Sequence, residues 1–210
     1  MKKNWLVYLF LGISFLANIF FLRNNLEQNR VVEVVDGDTF QLKSGKRVRL
    51  MGVDAPEFEL CGGKQAKERL TGLLYNKIVI LQEEVTESFG RSLALVFVNG
   101  KFINKIIMEE GWGRADYRKN SRRDELTQAF HLAENEKRGI FGLCRETVVP
   151  DDEKCKIKGN IDPATYEKFY HLPNCSHYSQ IVIQKDRGER YFCTKKEAIS
   201  SGFKKAAGCP

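Results

Sequence analysis

The chain has 210 residues, room for one medium domain with a small module beside it. Hydrophobic residues at 42% and charged residues at 29% describe a globular chain and exclude a disordered or fibrous one. The formal charge is +7, but Lys2, Lys3 and Arg23 flank one apolar run, and the remainder is only mildly basic, which allows a polyanion partner and excludes a histone-like character. Three histidines argue against a histidine-based metal catalyst. Six cysteines are too few for a cysteine scaffold, yet enough to matter.

Residues 5–22 (WLVYLFLGISFLANIFFL) carry no formal charge. As a helix they rise roughly 27 Å, close to the hydrocarbon thickness of a bilayer. Lys2 and Lys3 precede them, so the positive-inside tendency keeps the N-terminus in the cytoplasm and sends the rest across. Bulky residues stand where a leader would be cut (Ile19-Phe20-Phe21-Leu22-Arg23), which favours an uncleaved signal anchor over residues 1–23. The expectation is a single-pass protein of the cell membrane, held by its N-terminal helix, with the C-terminal part outside the cytoplasm. Cleavage would instead release a secreted protein. Either way the remainder faces an oxidising space where disulfides persist.

Residues 24–30 (NNLEQNR) are polar and read as a linker. Strands follow at 31–35, 40–43 and 46–50, divided by the Asp36-Gly37 and Ser44-Gly45 turns. Pro56 makes Asp54-Ala55-Pro56-Glu57 a rigid turn. Ala66, Leu70, Leu73 and Leu74 give residues 64–75 helical spacing, with Asn76 at the end. Strands are expected at 77–81 and 91–98, then a short helix over 102–110 stopped by Gly111. A longer helix runs from a Ser121 cap, with Asp124 in capping-box position, to Arg138, closed by Gly139. Five strands with one helix after the third and two after the fifth predict a closed Greek-key barrel, an α+β unit over residues 31–147. The composition breaks at residues 148–154, a second linker. Residues 155–210 form a small cysteine-containing α+β module, of a size that often needs cross-links or metal.

Ionisable residues cluster beside the turns of the barrel. Asp38 follows Asp36-Gly37, Asp54 and Glu57 bracket Ala55-Pro56, Arg49 lies in the third strand, and Arg91 opens the last. Two carboxylates and a rigid backbone carbonyl are hard oxygen ligands, suited to Ca²⁺ or Mg²⁺. Two arginines can neutralise a phosphodiester, and a third carboxylate can deprotonate water. Taken singly, each has an ordinary explanation, since Asp-Gly pairs mostly make turns and surface arginines mostly solvate strands. The ordered set is what points to metal-assisted phosphodiester hydrolysis.

That set resembles the staphylococcal nuclease, or thermonuclease, family. The matching stretches are Val35-Asp36-Gly37-Asp38-Thr39, the run from Val48 to Glu57 (VRLMGVDAPE), Phe89-Gly90-Arg91, NKIIMEEG from Asn104 to Gly111, and AENEKRGIF from Ala133 to Phe141. The resemblance covers about residues 30–145 and implies a five-stranded OB-fold barrel with three helices. It implies Asp38, Asp54 and the backbone carbonyl of Ala55 as ligands of one Ca²⁺, and Glu57 as general base. Arg49 and Arg91 would be the catalytic arginines on the phosphate, and Asp36 a secondary acid that holds the turn. The family usually has threonine at the Ala55 position and Lys-Tyr where Ser88-Phe89 stands, so a phosphate-contacting hydroxyl and a cation are replaced here. Tyr117 is matched, loosely, to a base-stacking tyrosine. The implied activity is hydrolysis of DNA and RNA with little sequence preference, single strands and frayed ends first, leaving 3′-phosphate ends. Two carboxylates make a calcium site of the weak extracellular kind. The alternative is the same barrel holding nucleic acid without cutting it, for example in DNA uptake.

Relatives with cysteines at the places of Cys61 and Cys144 suggest that these two pair. The tail phrases around Cys155, Cys175 and Cys193 resemble a small module found behind some secreted nuclease domains. The end of the chain is partly similar to the zinc-binding domain of the Ada DNA-repair protein. Cys155, Cys175, Cys193 and Cys209 contain no Cys-x-x-Cys, so two disulfides are favoured over Zn²⁺, with His171 and His177 as further ligands in the zinc alternative. Four cysteines allow three pairings.

Overall fold

The computed structural model describes residues 5–86, 90–116, 118–146, 150 and 154–210. Tyr117, Ser88-Phe89 and most of the expected 148–154 linker lie outside them.

Helix α1 (Trp5–Gln28) is long and apolar enough to cross a membrane, and Tyr8, Phe10, Phe15 and Phe20 stand exposed along it. It continues through residues 24–28, where the sequence suggested a linker. Leu26, Glu27 and Gln28 suit a helix, no Gly or Pro interrupts, and Arg30 closes onto the Glu27 carboxylate at 2.9 Å. Asn29 and Arg30 alone connect it to β1 (Val31–Val34).

β1 pairs antiparallel with β2 (Thr39–Leu42), and β2 with β3 (Arg47–Leu50). After the two-residue β4 (Val53–Asp54) comes helix α2 (Gly63–Leu74), which buries Ala66, Leu70 and Leu74, one face at i, i+4 and i+8. Asn76 ends it at φ 59°, as its residue type predicts. β5 (Ile80–Thr86) starts later and runs further than the predicted 77–81 strand, because residues 77–79 are taken up by β1: the Val31 N–H donates to the Lys77 carbonyl at 2.9 Å. This contact, with the Arg30–Ile78 bridge, closes the sheet. β6 (Ser92–Val98) lies between β5 and β3 and runs parallel to β3, giving the order β1-β2-β3-β6-β5 and back to β1. That circuit is the Greek-key barrel of an OB fold. To the five long strands this sheet adds the short β7 (Lys101–Phe102), paired with β6, while β4 pairs with the short β8 (Arg114–Ala115) and β9 (Arg145–Glu146) lies in a separate two-stranded sheet.

Helices α3 (Ile103–Glu109) and α4 (Arg123–Asn135) pack on one another and, with the turn of α5 (Ile140–Leu143), cover the barrel. The core holds Phe40, Leu42, Val48, Leu50, Ile107 and Phe141. α4 starts two residues after the predicted cap. Ser121 does not cap it; its N–H donates to the Glu83 carboxylate at 3.0 Å, across from the β5 bulge, and Arg122 takes the N-cap position.

Asn104, fully buried, ties α3 to the barrel. Its Oδ1 accepts from the Val96 N–H at 2.8 Å, and its amide donates to the Met51 and Ala94 carbonyls at 2.9 and 3.1 Å. Asn104→Ala strands these buried groups, so a loss of roughly 2–3 kcal/mol is expected in urea unfolding; a loss under 1 kcal/mol would contradict this role.

The C-terminal part forms a sheet ordered β13-β10-β11-β14, from β10 (Ile157–Ile161), β11 (Lys168–His171), β13 (Arg190–Phe192) and β14 (Lys204–Lys205). Ile157, Tyr170, Phe192, Ala198 and Phe203 fill its own small core. Helix α6 (Lys195–Ser200) has a reciprocal cap: Thr194 accepts from the Glu197 N–H, and the Glu197 carboxylate accepts from the Cys193 N–H. The short β12 (Ile183–Gln184) leaves this sheet and pairs with β9 of the barrel part.

Candidate active site

The site begins at the turn between β1 and β2. Asp36 Oδ1 accepts from the N–H groups of Asp38 and Thr39, at 3.0 and 2.7 Å, so Asp36 shapes the turn. A Cβ on Gly37 would lie 2.6 Å from Ala66 and 2.7 Å from Ala55, so only glycine lets the turn press against both α2 and the Asp54 loop. Asp38 is thereby sunk to 3% exposure. Its Oδ1 accepts from the Thr39 hydroxyl at 2.8 Å, and its Oδ2 from the Ala55 N–H at 2.9 Å. Burial pushes the Asp38 carboxyl up to about 7; Arg49 draws it down and Asp36 pushes it up.

Arg49 faces away from the barrel core, opposite in phase to Val48 and Leu50. One of its terminal nitrogens, Nη2, lies 2.9 Å from Asp38 Oδ2 and also bonds Asp54 Oδ1. Two carboxylates, one from the β1–β2 turn and one from β4, therefore converge on a single positive nitrogen. Asp54 is held by the β4–β8 pairing, which sets it opposite Arg114. Beyond the Ala55-Pro56 turn, Glu57 is exposed, and its backbone carbonyl accepts from the Leu60 N–H at 2.9 Å. A Cβ on Gly63 would fall 2.0 Å from that carbonyl, so the start of α2 also needs glycine to hold this loop down. Asp54, Ala55, Pro56 and Glu57 line one cleft of about 280 Å3.

Arg91 stands apart from this cleft. It lies two residues before Leu93, the β3 partner of Arg49, so both arginines share the outer face of the sheet. There it lines a neighbouring groove with Gln41 and Arg47. The structure thus brings together Asp36, Asp38, Arg49, Asp54 and Ala55, with Glu57 on the same cleft and Arg91 along the same sheet face.

The other wall of the cleft is not foreseen in the sequence. Arg114, Ile161, Tyr166, Lys168, Asp186 and Arg187 form this wall, and all but Arg114 come from the C-terminal part. Arg114 Nε donates to the buried Asp186 Oδ2 at 2.7 Å and Nη2 to Gln184 Oε1 at 2.7 Å. The Lys185 N–H donates to the Cys144 carbonyl at 2.9 Å. No local pattern marks Arg114, because its partners lie some seventy residues further along the chain.

The cysteines form three disulfides, Cys61–Cys144, Cys155–Cys193 and Cys175–Cys209. The first is the pair implied by the resemblance; the tail pairs select one of three pairings. His171 lies beside Cys175 and Cys209, but both sulfurs are consumed in one bond and leave no thiolate for Zn²⁺.

An OB-type barrel that sets two carboxylates, Asp38 from its first turn and Asp54 from β4, on one arginine of β3 defines the class. Similarity to known proteins narrows it. The family described as "Staphylococcal nuclease homologue" matches residues 47–142. The thermonuclease of Staphylococcus hyicus is 34% identical over 134 residues, covering 57% of this chain and 79% of that protein. The micrococcal nuclease of Shigella flexneri is 29% identical over 124 residues, 47% of this chain and 71% of that protein. Protein ParB of Escherichia coli is 37% identical over 75 residues, and the chain spans 42% of its length. The chain belongs to the staphylococcal nuclease homologues.

Proposed function

We propose that this chain is a Ca²⁺-dependent nuclease that hydrolyses DNA and RNA with little sequence preference and leaves 3′-phosphate ends. The observation carrying the proposal is the convergence of Asp38 and Asp54 on one cationic nitrogen, with Glu57 on the cleft that Asp54 lines. That convergence also tests the fit of a metal: two hard carboxylates aimed at one point, one of them buried at a cost, suit a hard divalent cation. Asp38, Asp54 and the Ala55 carbonyl would hold Ca²⁺, which when bound supplies a positive centre for the phosphate oxygens. Glu57 would take the proton of the attacking water. Arg49 and Arg91 would hold the phosphate and stabilise the charge that grows on its oxygens in the transition state. The deep position of Asp38 keeps that carboxylate fixed, so little reorganisation accompanies the reaction.

The same reading places residues 31–147 as the nuclease unit, residues 155–210 as an accessory module, and α1 as a membrane anchor with both units outside the cytoplasm. The relatives named nucleases and the three disulfides support it. The test uses the full chain in detergent with labelled single-stranded DNA, in calcium or in chelator. Calcium-dependent loss of the strand with 3′-phosphate ends is expected. A strand that stays intact in calcium but is retarded on a gel would replace the nuclease with a binding barrel.

A further inference from the structure

The residues around the active cleft include a set that hydrolysis does not use. We propose that the C-terminal part binds the nucleotide flanking the scissile phosphate, with Tyr166 stacking on its base and Lys168 and Arg187 holding its phosphate. The inference rests on the nuclease reading and names a second wall for the same cleft.

Tyr166 is 71% exposed and sits at φ 58°, a left-handed conformation that bulky L residues rarely adopt. The turn that imposes it is tightly built. Asp162 Oδ1 accepts from the N–H groups of Ala164 and Thr165 at 2.9 and 2.8 Å, and the Asp162 carbonyl accepts from the Tyr166 N–H at 2.9 Å. This structure fixes an aromatic ring in the open, where burial gains it nothing. Strained backbone that the surroundings over-determine is typical of ligand clamps.

Its position gives the ring a use. Tyr166 and Arg187 line the 280 Å3 cleft with Asp54 and Glu57, and also a second cleft of about 360 Å3 with Asp54, Arg118 and Phe130. They stand where the two meet, so a strand passing Asp54 on either side runs along them. Among the described residues, Arg114 is committed to Asp186, whereas Lys168 and Arg187 make no ion pair within 4 Å: Lys168 Nζ lies 5.7 Å from the centre of the Phe203 ring, and Arg187 acts on Asp162 and Glu189 only at longer range. An exposed ring beside two cations that no close carboxylate neutralises, in a cleft that also holds Asp54 and Glu57, is the arrangement by which single-stranded nucleic acid is gripped without sequence readout. The wall is held in register by the β9–β12 pairing and by Arg114 on Asp186 and Gln184.

The test uses the full chain in detergent, with Glu57→Gln to prevent cutting, calcium present and a fluorescein-labelled single-stranded DNA octamer followed by anisotropy. Tyr166→Ala is expected to weaken binding about tenfold, and Tyr166→Phe, which keeps the ring, to restore it. Lys168→Ala with Arg187→Ala should also weaken binding and flatten the slope of log Kd against log salt by about 1.4, two phosphate contacts at roughly 0.7 each. Lys195→Ala, on α6 and outside the cleft lining, should leave affinity unchanged. With Glu57 intact, the loss should fall on KM and not on kcat. Affinities within twofold of the parent for both Tyr166→Ala and the double cation variant, with an unchanged salt slope, would overturn the inference even where the chain cuts DNA. Failure of the parent to cut would instead sink the nuclease reading and leave the binding result to stand alone. If Tyr166→Ala does not fold, the double cation variant still decides.

Discussion

Glu57→Gln should lower kcat by about 10²- to 10⁴-fold while leaving affinity for single-stranded DNA within a few-fold of the parent. Glutamine preserves the size of the side chain and the course of the loop, which is fixed by the Glu57 backbone carbonyl and Gly63 and not by the carboxylate. What is removed is the group that accepts a proton from water. Glu57 is also exposed on the cleft, as a base must be to reach water and substrate, in contrast to the buried Asp38. Single-turnover hydrolysis read beside anisotropy separates the two effects. A fall of less than tenfold would remove Glu57 from the chemistry and transfer the role of base elsewhere on the cleft.

Loss of the Cys61–Cys144 disulfide has the largest expected effect on stability. The bond closes a sequence separation of 83 residues, for which chain entropy in the unfolded state gives about 4.5 kcal/mol. Against a typical total of roughly 5–15 kcal/mol, that is a large share. The Cys61→Ala, Cys144→Ala chain should therefore melt about 10–18 °C lower. The structural consequences extend to both walls of the cleft. Cys61 ends the Asp54–Leu60 loop, and the Cys144 carbonyl receives the Lys185 N–H that docks the C-terminal part. Residues 185–190 should accordingly gain amide exchange in the variant. A melting point within 3 °C of the parent would show that packing around Ile140 and Phe141 holds this region without the bond.

The barrel was legible because its signals are local. Alternation in residues 31–50, the Asp36-Gly37 and Ser44-Gly45 turns and the apolar face of α2 each depend on neighbours a few residues away. The errors fell where a distant group competes with a local preference. Ser121 is a good cap by type, but its side chain as well as its N–H turns to Glu83, and residues 77–79, read as strand, are drawn to β1 to close the sheet. The candidate acids and arginines were identified through the order of their motifs, yet that order contains no distances. Only the fold sets Asp38 and Asp54 on the same nitrogen of Arg49 and leaves Arg91 along the sheet from them.

By itself the sequence determined the apolar N-terminal helix, the turns, the helical faces and the residue types of the site, because each follows from chemistry within a few residues. The tertiary structure decided the pairing of the tail cysteines and the burial of Asp38. It also built a second wall of the cleft from Tyr166, Lys168 and Arg187. These depend on contacts between segments tens of residues apart, and chain topology, not local preference, determines which distant groups meet.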